Sequence, residues 1–278
     1  MERREAARRL IVNADDFGRS SEINAAVIRA HREGILTSAS LMVTGDACAE
    51  AVDLARKHPL LGVGLHLTLV CGRAALPPPE IPGLIDADGN FGEDAVGAGC
   101  QFFFNRALRA PLEREIAAQF ERFRATGLPL DHVNGHLNLQ LHPAVFSILM
   151  ANAERWGIRH FRLTRDLFWF NARLAGGAWV YRASHAFIYW LLAARARGEL
   201  RRRGIQFTER VFGLLQNACV DEEFITRLLP RLPPGDSELY SHPSLTDSKF
   251  ELDALLSPRV KALVQSEGIQ LLRYQDLK

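Results

Sequence analysis

The stretch Leu10-Ile11-Val12-Asn13-Ala14-Asp15-Asp16-Phe17-Gly18 reads as an apolar β-strand that runs into two adjacent carboxylates and a glycine turn. Side chains alternate faces along a strand. At a strand's C-terminal end, however, both acids reach the mouth of a sheet or barrel, where α/β folds carry their chemistry. One acid can then bind a metal while its neighbour acts as a base. The competing use is structural, with Asp15 and Asp16 capping a helix that begins near Ser20-Ser21. Three later strand-like runs favour chemistry, because each ends in histidine: Gly62-Val63-Gly64-Leu65-His66, His132-Val133-Asn134-Gly135-His136 and Glu238-Leu239-Tyr240-Ser241-His242.

Outward from that stretch the chain alternates strand and helix. The strand at 9–14 is followed by a helix near 21–33, an apolar run Ile35–Val43, a helix near 46–57 and a strand at 62–69. A Pro- and Gly-rich excursion from Leu76 through Gly99, about 76–105 in all, reads as a long loop over the same end of the fold. A helix at 111–126 carries Ile116, Phe120 and Phe123 on one face, with Gly127 just past its end. The strand Leu130–Asn134, a helix from Pro143 to Trp156 and the strand Ile158–Leu163 follow, then strands near Val211–Leu215, Glu238–Ser241 and Ile269–Leu272. Repeated βα units imply a mainly parallel sheet, and at this length the leading architecture is a single-domain α/β fold over 1–278, a distorted (β/α) barrel.

At 278 residues, 47% hydrophobic and 24% charged, the chain is long enough to bury one large core. A formal net charge of +2 gives no general electrostatic reason to expect nucleic acid. The runs Arg3-Arg4, Arg8-Arg9 and Arg201-Arg202-Arg203 read as solvated faces. Cys48, Cys71, Cys100 and Cys219 lie far apart with no CxxC pair, so neither a zinc knuckle nor a disulfide framework is expected, and a reducing cytoplasm fits. The basic N-terminus lacks the apolar length of a signal peptide, and no stretch is long enough for a membrane-spanning helix.

Each histidine has a plain reading beside the chemical one. His66 interrupts an apolar strand, where a lone imidazole is commonly a hydrogen-bonded core group. His136-Leu137-Asn138-Leu139-Gln140-Leu141-His142 places polar groups at every second position, which in an extended segment aligns them on one wet or metal-binding face. His242 precedes Pro243, which keeps it extended or in a turn after its strand. One carboxylate with two imidazoles is a ligand set for a catalytic divalent ion that leaves a position open. A second carboxylate and a third histidine then serve proton transfer.

Together, NADDFG at 13–18, GLHLTL at 64–69, HVNGHLNLQLHP at 132–143 and ELYSHP at 238–243 resemble the YdjC-like carbohydrate deacetylases, most of all their hopanoid-biosynthesis branch. The likeness covers nearly the whole chain. It implies a distorted (β/α) barrel that removes acetyl groups from N-acetylated sugars with one divalent ion, zinc first and magnesium as an alternative. It implies Asp16, His66 and His136 as metal ligands, Asp15 as general base and His242 as general acid. In that branch the implied substrate is an N-acetylglucosaminyl hopanoid. The chain departs from the pattern at Asn138 and Gln140, where relatives often carry histidine.

Phe168, Trp169, Phe170, Trp179, Tyr181, Phe187, Tyr189 and Trp190 are followed by Arg195, Arg197 and Arg201 to Arg203. Such a segment, about 168–203, suits a peripheral contact at the inner membrane face, with rings at the headgroup boundary and arginines near anionic lipid. Packing of most of these rings on the barrel is the favoured expectation. Soluble N-acetylated sugars such as chitooligosaccharides are the alternative substrates, and a membrane-associated scaffold that retains the fold is the non-enzymatic alternative. The sequence leaves open whether the protein is a monomer or a homo-oligomer.

Overall fold

In the computed structural model the opening apolar run is the centre of the sheet. The structure describes residues 7–174, 177–216 and 219–278, so Arg3-Arg4 lies outside the described residues. Seven strands form the sheet: β1 (Arg8–Phe17), β2 (Ser38–Leu41), β3 (Gly62–Leu67), β4 (Val133–Gly135), β5 (Arg210–Phe212), β6 (Gly235–Ser241) and β7 (Gln270–Leu272). Their order is β4-β3-β2-β1-β6-β5, with β7 also on β1, and every pairing is parallel. β6 runs along β1 from Arg8 to Ala14, while β7 takes Arg9–Ile11 and β2 takes Asn13–Phe17 on the opposite edge. A strand paired on both edges and covered on both faces reads as continuously apolar, and Leu10 to Phe17 are all buried.

The expected strand Ile158–Leu163 is not a regular strand. Its chain makes single bridges, Val133 with Phe161 and His160 with Gln206, and Val211 N–H donates to the Arg165 carbonyl at 3.0 Å. This ragged segment therefore fills the gap between β4 and β5 and curls the sheet toward a barrel, while pointing Arg162 at full burial into the interior.

The helices largely follow their sequence signals. The helix Ser21–Glu33 is capped by Ser20, whose Oγ accepts the Ile23 N–H, so Asp15 and Asp16 are free of capping duty. Cys48–Lys57 packs beside Ser21–Glu33 with Ala51, Val52 and Ala55 in the core, Arg109–Ala125 packs on β3, and Phe120 stacks on Trp156 at 4.4 Å. The expected loop 76–105 is corrected at its end. Ala95–Phe104 is a helix, because the Asp94 carboxylate accepts the Val96 and Gly97 N–H groups and so offsets two weak helix formers, Gly97 and Gly99. The segment His136–Leu141 is also corrected: it is a tight helical turn, with Leu137 and Asn138 at φ of 51° and 58°, so its polar groups do not align on one face. His142 caps the helix Pro143–Ala151 through its ring nitrogen.

Candidate metal centre and active-site cleft

Asp16, the next-to-last residue of β1, has φ of 63°, where the register with β2 shifts between Ala14 and Phe17. Such an irregularity re-aims a side chain, and here it allows both neighbouring acids to serve one site. Asp16 Oδ1 lies 3.3 Å from His66 Nε2 and 3.0 Å from His136 Nδ1, and the two nitrogens are 3.4 Å apart. One donor atom from each of these buried residues lies within 4.8 Å of the others. A carboxylate oxygen with two imidazole nitrogens is a donor set suited to zinc and tolerant of other divalent ions, and the residues present fit such an ion. Burial alone would raise the Asp16 carboxyl, but hydrogen bonds and charge from His136 and His66 hold it well below the usual carboxylate range. Burial would lower the His66 imidazole. Asp15 and Asp16 overrule this and raise it. Arg19, half-exposed, pairs with the other Asp16 oxygen at 3.0 Å.

Asp15 stands beside this triad with its two oxygens unequally engaged. Its Oδ1 accepts from Asn13 Nδ2 at 2.9 Å, Asn134 Nδ2 at 3.1 Å and Arg162 Nη2 at 2.9 Å, whereas Oδ2 accepts only Arg162 Nη1 among the described residues, at 2.7 Å. Burial again pushes upward, yet the Arg162 charge and its hydrogen bonds hold the Asp15 carboxyl far below its ordinary value. Arg162 also donates to Glu238 Oε1 at 2.8 Å and sits 4.4 Å over the Tyr240 ring, and Tyr274 donates to the other Glu238 oxygen.

Sequence reasoning missed Arg162, Glu238 and Asn134. The available signal for Arg162 was a cation in the apolar run Ile158–Leu163, since a buried arginine requires an acidic partner.

His242 follows β6 with its ring edge-on to Tyr240 at 5.8 Å. Its backbone N–H donates to Glu251, and its Nδ1 lies 4.0 Å from the same carboxylate. All five residues singled out in the sequence, Asp15, Asp16, His66, His136 and His242, line one cleft of about 920 Å³. His142 does not join them. Asn138 accepts from Thr164 Oγ1 at 2.7 Å and Gln140 donates to that hydroxyl at 3.2 Å, so both brace the turn after His136.

The helix Trp179–Arg202 supplies another wall of the cleft through Tyr181, His185 and Tyr189, and the Tyr189 hydroxyl donates to the Leu137 carbonyl at 3.2 Å. The expectation that most rings in this region pack on the barrel holds for only half. Phe168, Phe170, Tyr181 and Tyr189 are half-buried, whereas Trp169 is 77% exposed, Phe187 60%, Trp179 52% and Trp190 50%. The arginines are not bare cations either. Arg197 and Arg201 pair with Glu209, and Arg202 and Arg203 pair with Glu199. Among the described residues no helix is long and apolar enough to cross a membrane.

A family model described as YdjC-like protein matches residues 9–266. The chain is 42% identical over 152 residues to a protein named carbohydrate deacetylase from Brevibacillus brevis, and that match spans 54% of this chain and 57% of the relative's length. It is 29% identical to a chitooligosaccharide deacetylase from Serratia marcescens over 96% of this chain and 98% of that protein. Its fold is similar to a solved structure from Enterococcus faecalis V583, with a TM-score of 0.74 at 23% identity over 97% of this chain and 98% of that one.

Proposed function

From the premise that the chain belongs to the YdjC-like family, we propose that it is a metal-dependent hydrolase that removes the N-acetyl group from an amino sugar. The observation that carries this reading is the convergence of Asp16, His66 and His136 beside an arginine-held Asp15 in one cleft. A divalent ion, zinc or magnesium, held by those three residues would supply polarisation of the amide carbonyl and a water of lowered pKa. Asp15 is the proton acceptor for the attacking water. Its Oδ2 has the more open lone pairs, and Arg162 keeps the group ionised over the whole working pH range. His242, just after the strand paired with β1 and lining the same cleft as Asp15, delivers a proton to the departing amine, which must be protonated before the C–N bond breaks.

The test separates the adjacent acids. Asp15→Asn keeps the shape and removes the acceptor, so it is expected to retain metal while acetate release from a chitooligosaccharide falls about 10²–10⁴-fold. Asp16→Asn is expected to lose metal first. Metal content and acetate assays on both variants check this, and the reverse pattern would exchange base and ligand.

The finer reading takes the substrate to be lipid-linked, an N-acetylglucosaminyl hopanoid. The four-motif resemblance supports it, as do the exposed Trp169, Trp179, Phe187 and Trp190, which suit a peripheral contact at the interface where tryptophan is favoured. Because Arg197, Arg201, Arg202 and Arg203 are ion-paired, the rings rather than charge are expected to dominate. Wild type should co-sediment with phosphatidylcholine vesicles. A variant with Phe187 and Trp190 changed to Ala should bind them several-fold less, and Arg201, Arg202 and Arg203 changed to Gln should lose less than that. Wild type that ignores vesicles would favour the second reading, soluble chitooligosaccharides, which the name of the full-length Serratia marcescens relative supports.

A further inference from the structure

Behind the metal centre lies a second polar cluster that the proposed chemistry does not use. Asp131 Oδ2 is 3.0 Å from His132 Nδ1, and His132 Nε2 is 2.9 Å from Ser40 Oγ. The order Asp-His-Ser is that of a hydrolytic triad, but this serine is no nucleophile. Ser40 is fully buried, and its oxygen accepts from Asn13 Nδ2 at 2.9 Å and Asn134 Nδ2 at 2.8 Å. Each of those amides sends its other N–H to Asp15 Oδ1. None of the five residues Asn13, Ser40, Asp131, His132 and Asn134 is more than 1% exposed.

The sequence makes room for this cluster. A Cβ on Gly64 would stand 2.5 Å from the His132 ring, and one on Gly62 would stand 2.7 Å from Asp131 Oδ2, so the glycines of the GVGLHL segment admit both side chains. Tyr274 closes the other side, stacked on His132 at 4.3 Å.

The donor and acceptor inventory allows one direction for every proton in this web. The two carboxylates at its ends, Asp131 and Asp15, only accept. His132 therefore carries its proton on Nδ1, and its bare Nε2 accepts the Ser40 hydroxyl. Ser40 has then spent its one proton, so its lone pairs take the two amide N–H groups. Asn134 is thereby left with its Oδ1 facing His66 Nδ1 at 2.8 Å. That oxygen requires a proton on His66 Nδ1 and frees His66 Nε2, the nitrogen that faces Asp16 and His136.

We propose that Asp131 and His132 are positioning residues whose hydrogen bonds, relayed through Ser40 and Asn134, fix His66 in the tautomer that presents Nε2 to a divalent ion. This rests on the reading of Asp16, His66 and His136 as a metal centre. Partners of metal-bound histidines are worth roughly 10–100-fold in metal affinity.

The test reverses the polarity at the far end. Asp131 Oδ1 accepts the Gln275 N–H at 3.0 Å, so in Asp131→Asn the amide oxygen keeps that donor and the NH₂ faces His132. The His132 proton then moves to Nε2, and Ser40 receives three N–H donors where it can accept two. Proton-detected nitrogen spectra of the zinc-loaded wild type are expected to place the protons of both His132 and His66 on Nδ1. In Asp131→Asn the His132 proton is expected on Nε2, with zinc affinity, measured by chelator competition, roughly tenfold weaker. Ser38→Ala removes a different contact to Asp131, at 3.4 Å, and is expected to leave both unchanged.

A wild-type His132 proton on Nε2 overturns the relay, and needs no variant to fold. A moved proton with zinc affinity unchanged within twofold also overturns it. Failure of the wild type to bind zinc would instead overturn the metal-centre reading, leaving the His132 proton position as the separate measure of the relay.

Discussion

Alanine in place of His66 is expected to strip the bound metal and to lower turnover on the order of 10³-fold or more, while the protein still folds. His66 gives one of only three donor atoms that converge among the described residues, and two donors do not hold a divalent ion against bulk water. The rate loss follows from the proposed chemistry, in which carbonyl polarisation and water activation would both depend on the ion. The folding cost is smaller. The ring is buried and bonded to Asn134, so its removal leaves one polar partner unsatisfied, about 1–3 kcal/mol. Metal analysis, acetate release and thermal melting of the purified variant check the three statements together. Full metal occupancy with full activity would remove His66 from the ligand set.

Arg162→Met is expected to be the most destabilising single change in the site. Arg162 is fully buried between the Asp15 and Glu238 carboxylates, at 2.7 Å from each. Removing one cation from such a cluster leaves uncompensated buried charge, about 3–5 kcal/mol. The pH dependence gives the change a signature. In the wild type the folded Asp15 carboxyl is depressed below its unfolded value. Its contribution is therefore full above the unfolded carboxyl pKa and is lost only as pH falls below about 4. In the variant, burial acts on Asp15 without Arg162 to oppose it, so the folded carboxyl is raised and stability is regained as pH falls from neutrality. Urea unfolding at pH 7.5 and 5 is expected to show the variant gaining more stability on acidification than the wild type, since the raised His66 and Asp166 groups contribute a gain to both. Parallel pH responses would mean that Arg162 does not govern Asp15.

Much of the candidate site was legible because its proposed ligands stand at or next to strand ends. An apolar run with an acid or imidazole at its last position needs no alignment to stand out, and parallel strands bring their C-terminal ends together. Arg162 was not legible, because it lies on a segment held by single bridges. Its partners Asp15 and Glu238 are 147 and 76 residues away, beyond any local pattern. The bend after His136 was hidden for another reason. Alternating polar residues predict an extended segment, but Thr164, 26 residues on from Asn138, holds that turn by hydrogen bonds. In the loop 76–105, glycine content masked a helix that Asp94 caps. Ring exposure on the helix Trp179–Arg202 was undecidable from composition, since aromatics wrap around that helix and only packing tells its wet side.

The place of β1 at the centre of the sheet also sets an order of events during synthesis. Asp15 and Asp16 leave the ribosome early, but β6, which pairs with β1 through contacts such as Arg9 with Asp236, follows 227 residues later. At about 5–20 residues per second, the nascent chain spends some ten seconds or more with its central strand unpaired along one edge and its acids without β6. Such distant pairing slows folding and exposes an aggregation-prone edge. Truncated chains that stop before Gly235 are therefore expected to bind holding chaperones, and the yield of active protein is expected to vary with translation speed across the stretch between Arg162 and β6.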